Sequence, residues 1–185
     1  ISAPEEDVGL RGLTTVSFEL ERINVGPEAK LGGEKVETPR DLDSSRAAHS
    51  AILVGACRGI LEFCVPYTKD RIAFDEPIAK KQSIAFRLAE MHVEIEAMRW
   101  MAWKSSSHVG QSHPEATKQA HLTRQYAAEK SMWIADNGIQ VFGGHGFIRE
   151  YPHAKTTANS AIHQSFVRLH VLQPDHVFSG KTPNC

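Results

Sequence analysis

Apolar and polar positions change their period near residue 40, and that change divides the chain. Val16-Ser17-Phe18-Glu19-Leu20-Glu21 alternates with period two, which predicts a half-buried strand. Ile23 and Val25 resume the apolar set one residue out of phase, so a bulge or bend is expected near Arg22. Gly26-Pro27 and Gly32-Gly33 then punctuate the chain. One or two strands cannot form a stable sheet alone. Residues 1–38 therefore read as the remnant of a β-domain and its linker, at the C-terminal side of a larger β-then-α protein.

From Asp41 the period becomes helical. Asp43 or Ser44 is expected to cap a first helix whose apolar residues include Ile52, Cys57, Ile60 and Cys64. Gly55, Ala56 and Gly59 offer a smooth strip for close approach of another helix. Pro66 is expected to bend this helix, at a cost of about 3 kcal/mol, before it stops near Phe74-Asp75-Glu76-Pro77. The second helix carries Ile84, Leu88, Met91, Ile95, Met98 and Ala102 at alternating steps of four and three, a heptad seam facing a partner. It is expected to end at Ser105-Ser106-Ser107. A third runs from about Glu115 to Ile139, with the small residues Ala120, Ala127, Ala128 and Ala135 inward, and closes at Gly143-Gly144. A fourth is implied after Gly146. The fold class is mainly α: an antiparallel up-down four-helix bundle over 39–152, preceded by one or two strands of a truncated β-domain.

The tail, 153–185, has only four charged side chains, Lys155, Arg168, Asp175 and Lys181. Ile162, Phe166 and Leu169 keep helical spacing, so a short helix followed by irregular chain is expected there.

Composition narrows the function. Twenty-one basic and 22 acidic residues among 185 leave a formal charge of −1, which removes the usual electrostatic basis for binding nucleic acid or an anionic membrane. No apolar run is read as long enough for a membrane span. Cys57 and Cys64, seven residues apart on one helical face, read as small buried residues of a reducing compartment. With no secretion signal read at Ile1, the expected location is the cytoplasm or the mitochondrial matrix. A chain starting at Ile1 also reads as processed or cut from something longer.

Ten histidines invite a metal reading, but no HExxH or paired CxxC spacing supports one. Gly143-Gly144-His145-Gly146 has two readings: a helix C-cap and turn, or a place where bare backbone approaches a phosphate or adenine. Arg71, Gln82 and Gln140 stand at helix ends, where each could equally be an ordinary surface side chain.

Taken together these residues carry a resemblance. Arg46-Ala47-Ala48, Tyr67-x-x-x-Arg71-x-x-Phe74-x-x-Pro77-Ile78 with Gln82, Leu88-Ala89-Glu90-Met91, Ile139-Gln140-Val141-Phe142-Gly143-Gly144-x-Gly146-Phe147 and Glu150-Tyr151-Pro152 resemble the C-terminal domain of the acyl-CoA dehydrogenases. Residues 8–33 resemble the end of that family's middle β-domain. The resemblance implies α,β-dehydrogenation of an acyl-CoA thioester by bound FAD, in a homo-oligomer, with electrons passing to an electron-transfer flavoprotein. It implies that Arg71, Phe74 and Gln82 hold the FAD diphosphate and adenine. Gln140, Gly143 and Gly144 would serve a neighbouring subunit's FAD, and Arg46 would lie near the acyl-CoA.

The chain departs from the family at the catalytic base. The two positions where the family places a carboxylate are Val167 and Ser45 here. Valine cannot accept a proton, and a serine hydroxyl is a poor base unless another group activates it. The resemblance also weakens after Pro152, leaving only Ile162, Gln164 and Phe166 in register. Two other readings of the same resemblance follow. One is a non-catalytic subunit that completes an FAD site and an oligomer; the other is a flavin oxidase or monooxygenase-like relative that needs no base.

Overall fold

A computed structural model of the chain describes residues 38–146, with isolated positions at 16, 17, 19, 24 and 26. The tail from 153, the fourth helix and Val167 lie outside the described residues, as do the β-domain remnant over 1–38 and its strand at 16–21 apart from the positions just named and Thr38. Three long helices dominate: α1 (Thr38–Asp70), α2 (Gln82–Gly110) and α3 (Ala116–Phe142). Between α1 and α2 a two-stranded antiparallel ribbon, β1 (Ile72–Ala73) and β2 (Glu76–Pro77), pairs Ile72 with Pro77 and Ala73 with Glu76. Each helix packs against the other two.

The seam expected on α2 is the one buried. Met91, Ile95, Met98 and Ala102 are in the core, with Leu88 packed against it. The small face of α3 is buried as expected at Ala120, Ala127, Ala128 and Ala135. On α1 the buried row is Leu53, Cys57, Ile60 and Cys64, at steps of four, three and four. Ile52, expected inside, is 64% exposed. One residue on a helix is a turn of 100°, enough to put Leu53 in the core and Ile52 in water.

Several expected boundaries move. Helix α1 starts at Thr38, so neither Asp43 nor Ser44 caps it. Asp43 is instead a buried interior residue, 2% exposed. Its carboxylate accepts bonds from Arg46 Nη1 at 2.8 Å and, across to α3, from Thr117 Oγ1 at 2.6 Å. A side chain satisfied by a neighbouring helix has no need of its own helix's first N–H groups. Helix α1 also runs through Pro66 to Asp70. Pro66 and Glu62 are both exposed, so the carbonyl left without a donor has water within reach. Helix α2 continues past Ser105, which is small enough to be fully buried, to Gly110.

The glycine strip also behaves differently from expectation. Among the described residues nothing lies within 4 Å of a β-carbon built on Gly55 or Gly59. The close glycine approach is at Gly138 of α3, against α1. Gly55 instead borders an open groove of about 430 Å³ between α1 and α2.

The expectation that no segment is long and apolar enough to span a membrane does not hold for α1. Asp41–Asp70 contains an 18-residue window of mean hydropathy 1.4. The buried row Leu53, Cys57, Ile60 and Cys64 lies within this helix and packs into the core shared with α2 and α3.

Candidate functional site

The ribbon sets Arg71 at the junction of α1 and β1. The Arg71 N–H donates to the Tyr67 carbonyl at 2.9 Å, and the Arg71 carbonyl accepts from the Ile78 N–H at 2.9 Å. The backbone is thus tied to the end of α1 and to the base of the ribbon, while the guanidinium side is exposed. At the ribbon tip Phe74 and Asp75 have φ of 56° and 65°. Positive φ at both central residues matches the twist a two-residue hairpin needs, at a steric cost of about 1–2 kcal/mol for each non-glycine residue.

Helix α3 ends beside this junction. Gly143 has φ 57° and ψ −133°, and its N–H closes on the Gln140 carbonyl. A 3-10 turn over Gly143–Gly146 follows. The C-cap reading of the glycine run is therefore correct. The close-approach reading is compatible with it, because among the described residues a β-carbon on Gly143 or Gly144 would meet nothing within 4 Å. Gly146 is needed for a different reason: its β-carbon would lie 2.7 Å from the Ile139 carbonyl oxygen.

Tyr67 joins the two ends. Its ring stacks on Phe142, centroids 4.1 Å apart, and Phe142 stacks in turn on Phe63 at 5.4 Å. Its hydroxyl stands 3.4 Å from the Phe142 carbonyl oxygen and 3.4 Å from His145 Nδ1. Arg71, Gln140, Gly143 and Gly144 consequently share one open cleft of about 510 Å³ with Tyr67 and His145. Four of the six cofactor residues expected from sequence meet here, although α1 and α3 are far apart in the chain. The arrangement suits a phosphorylated ligand. It supplies a guanidinium for paired oxygens, bare glycine backbone at a helix end, and an amide that can both donate and accept.

Phe74 and Gln82 do not line this cleft. Phe74 is 89% exposed at the ribbon tip, with Lys81 Nζ 5.7 Å from its ring centroid. Gln82 is exposed at the start of α2.

Arg46 is elsewhere. It lies 25 residues before Arg71, about 37 Å along the axis of α1 at 1.5 Å per residue. Its guanidinium, 16% exposed, is held by Asp43. His121 of α3 belongs to the same cluster. Burial pushes its imidazole below the usual histidine range, the Arg46 charge adds to this, and Asp43 opposes it. His49 is lowered by burial and then by Arg124, whose own guanidinium burial brings down to about 10. Ser45 is exposed on α1.

Tyr67 and His145 stand within the sequence motifs, but nothing in the sequence assigns either of them a site role. An aromatic four residues before an arginine gives no sign of a contact with a turn on another helix.

Comparisons with known proteins bear on the family and the fold. The family described as "Acyl-CoA dehydrogenase, C-terminal domain" matches residues 33–166. The match continues past Pro152 through Ile162, Gln164 and Phe166, so the resemblance has no edge at 152. The chain is 30% identical over 173 residues to the short-chain specific acyl-CoA dehydrogenase of Megasphaera elsdenii, covering 91% of this chain and 45% of that protein. It is 31% identical over 150 residues to CarC, a subunit of the caffeyl-CoA reductase-Etf complex of Acetobacterium woodii, covering 80% and 39%. The structure of butyryl-CoA dehydrogenase from Megasphaera elsdenii superposes with a TM-score of 0.65 at 31% identity, over 75% of this chain and 38% of that one. The chain thus spans less than half the length of the relatives it matches.

Proposed function

The chain belongs to the acyl-CoA dehydrogenase family of flavoprotein oxidoreductases, and we propose that it carries half of an FAD site for α,β-dehydrogenation of an acyl-CoA thioester. The observation that carries this reading is the meeting of Arg71, Gln140, Gly143 and Gly144 in one cleft. Arg71 would pair with the FAD diphosphate, with Gly143 and Gly144 admitting it against bare backbone. Gln140 would read the adenine edge, and Phe74 and Gln82 would add contacts from the ribbon and α2. When bound, FAD supplies the hydride acceptor.

The separation of Arg46 from Arg71 supports a shared arrangement. The Arg46 end of α1 would face the acyl-CoA of its own subunit, and the cleft would bring Arg71 to the same neighbouring FAD that Gln140, Gly143 and Gly144 are expected to serve, so the working unit would be a homo-oligomer. An electron-transfer flavoprotein is the proposed acceptor, a reading favoured by the Etf complex to which CarC belongs.

One observation favours a second reading, in which the chain completes a partner's FAD site without supplying the base. The family base positions hold Ser45 and Val167. Asp43, the acid bonded to Arg46, is buried with both oxygens engaged. The oxidase-like reading has no structural observation of its own.

The test is flavin absorbance with light scattering on the purified chain and its Arg71→Ala variant. About one FAD per chain in a dimer or tetramer, lost in the variant, is the expected result. A flavin-free monomer would sink the proposal. Bleaching of bound flavin by added acyl-CoA would then favour the catalytic reading over the second one.

A further inference from the structure

Tyr67 stands between the two halves of the cleft, and its hydrogen-bond chemistry has a direction. The Phe142 carbonyl can only accept, so the hydrogen bond between the two, across 3.4 Å, uses the Tyr67 hydroxyl proton. The phenolic oxygen then has lone pairs left, and His145 Nδ1, also 3.4 Å away, meets it as an N–H donor. The chain runs from His145 Nδ1–H to the Tyr67 hydroxyl to the Phe142 carbonyl. Each link, at 3.4 Å, is long for a hydrogen bond. The ring end of Tyr67 is fixed independently, by stacking on Phe142. Its backbone carbonyl holds the Arg71 N–H. One residue therefore touches the arginine side of the cleft through its main chain and the glycine side through its hydroxyl.

Resting on the FAD reading above, we propose that Tyr67 is a positioning residue for the nucleotide, acting through His145. By committing Nδ1 of His145 it selects one tautomer and one ring orientation for the imidazole that lines the cleft. By holding the Phe142 carbonyl it sets where the Gly143-Gly144 backbone stands relative to Arg71. His145 is then a further contact for the adenosine diphosphate portion, and the flavin ring lies outside the influence of this pair.

ADP is the probe, titrated calorimetrically into the intact chain, with FMN as the contrast. Tyr67→Phe keeps the stacked ring and removes only the hydroxyl. It is expected to weaken ADP about fivefold, the scale of one hydrogen bond, with the melting temperature within a few degrees of the parent. His145→Ala is expected to lose about the same, and His145→Asn, which keeps a donor near the Nδ1 position, to recover most of it. The double variant Tyr67→Phe/His145→Ala should bind no worse than either single one, because both remove the same chain. FMN affinity should be the same in all of them. ADP affinity in Tyr67→Phe equal to the parent's would overturn the inference, as would single losses that multiply in the double variant. Arg71→Ala separates the two levels. If it weakens ADP while Tyr67→Phe does not, only the Tyr67 role falls. If the parent binds no ADP, or Arg71→Ala has no effect, the FAD reading falls and this inference with it.

Discussion

Gly138 of α3 faces Ile60 of α1 so closely that a β-carbon on Gly138 would lie 2.6 Å from Ile60 Cγ2. Cγ2 is the branch methyl of a β-branched side chain in the core, so it cannot swing aside without leaving its rotamer. Gly138→Ala gains up to about 1 kcal/mol of helix propensity and loses about 1–3 kcal/mol to overpacking. The expected net effect is a lower melting temperature. Gly55→Ala has the same propensity gain with open space around it. It is expected to stabilise by about 0.4–1 kcal/mol. Thermal unfolding of the pair checks both signs, and equal shifts would refute the packing argument.

Gly144 separates binding from stability. Among the described residues a side chain there meets open space, and the φ of Gly144 is not positive. Gly144→Val is therefore expected to leave stability within about 1 kcal/mol while filling the place where a diphosphate would approach. Calorimetric unfolding next to FAD titration is the check. Retention of full FAD affinity would mean the ligand does not approach this backbone.

The tie between Asp43 and Thr117 holds α1 to α3 at the end far from the cleft. Asp43→Ala removes a buried acceptor of two bonds and leaves Arg46 without its counter-ion. A loss of about 1.5–3 kcal/mol is expected. Thr117→Val removes one bond and is expected to cost about 1 kcal/mol. Chemical denaturation of both singles and the double variant should show a smaller loss in the double than the two singles combined.

His49 and His121 give stability a pH dependence of definite sign. Both folded-state pKa values lie below the unfolded value of 6.5, chiefly because burial disfavours the imidazolium. Between the folded pKa and 6.5 the unfolded chain binds more protons, so stability rises with pH through that window. This contribution is fully present above 6.5 and is lost as the pH falls below it. The melting temperature should therefore drop between pH 7.5 and 5.5. His121→Gln should have a shallower slope over that interval, and an unchanged slope would remove His121 from the account.

Burial pushes the Cys57 thiol up to about 12, and Cys64 is equally buried. The thiolate is the reacting species. Iodoacetamide at pH 8 is expected to leave both peptides unlabelled in the native protein and to label both in denaturant, read by mass spectrometry. Rapid native labelling would mean that α1 opens locally.

Sequence alone determined the faces that α2 and α3 bury and, on α1, the row Cys57, Ile60 and Cys64, though not the place of Ile52. The seam of Met91, Ile95, Met98 and Ala102 and the alanine face of α3 follow from a 3.6-residue period, which is a property of the helix itself. It also marked Arg71, Gln140, Gly143 and Gly144, though only through the family motifs in which they stand. Tertiary structure decided which ends meet. The arginine and the glycine turn share a cleft because α1 and α3 pack against one another, and Tyr67 reaches the glycine turn only through that packing. The same packing turned Asp43 from an expected cap into a cross-link and made Gly138, rather than Gly55, the close approach. A residue's period can be read along the chain. Its partner on another helix depends on how three amphipathic faces close on one core, and no local spacing encodes that.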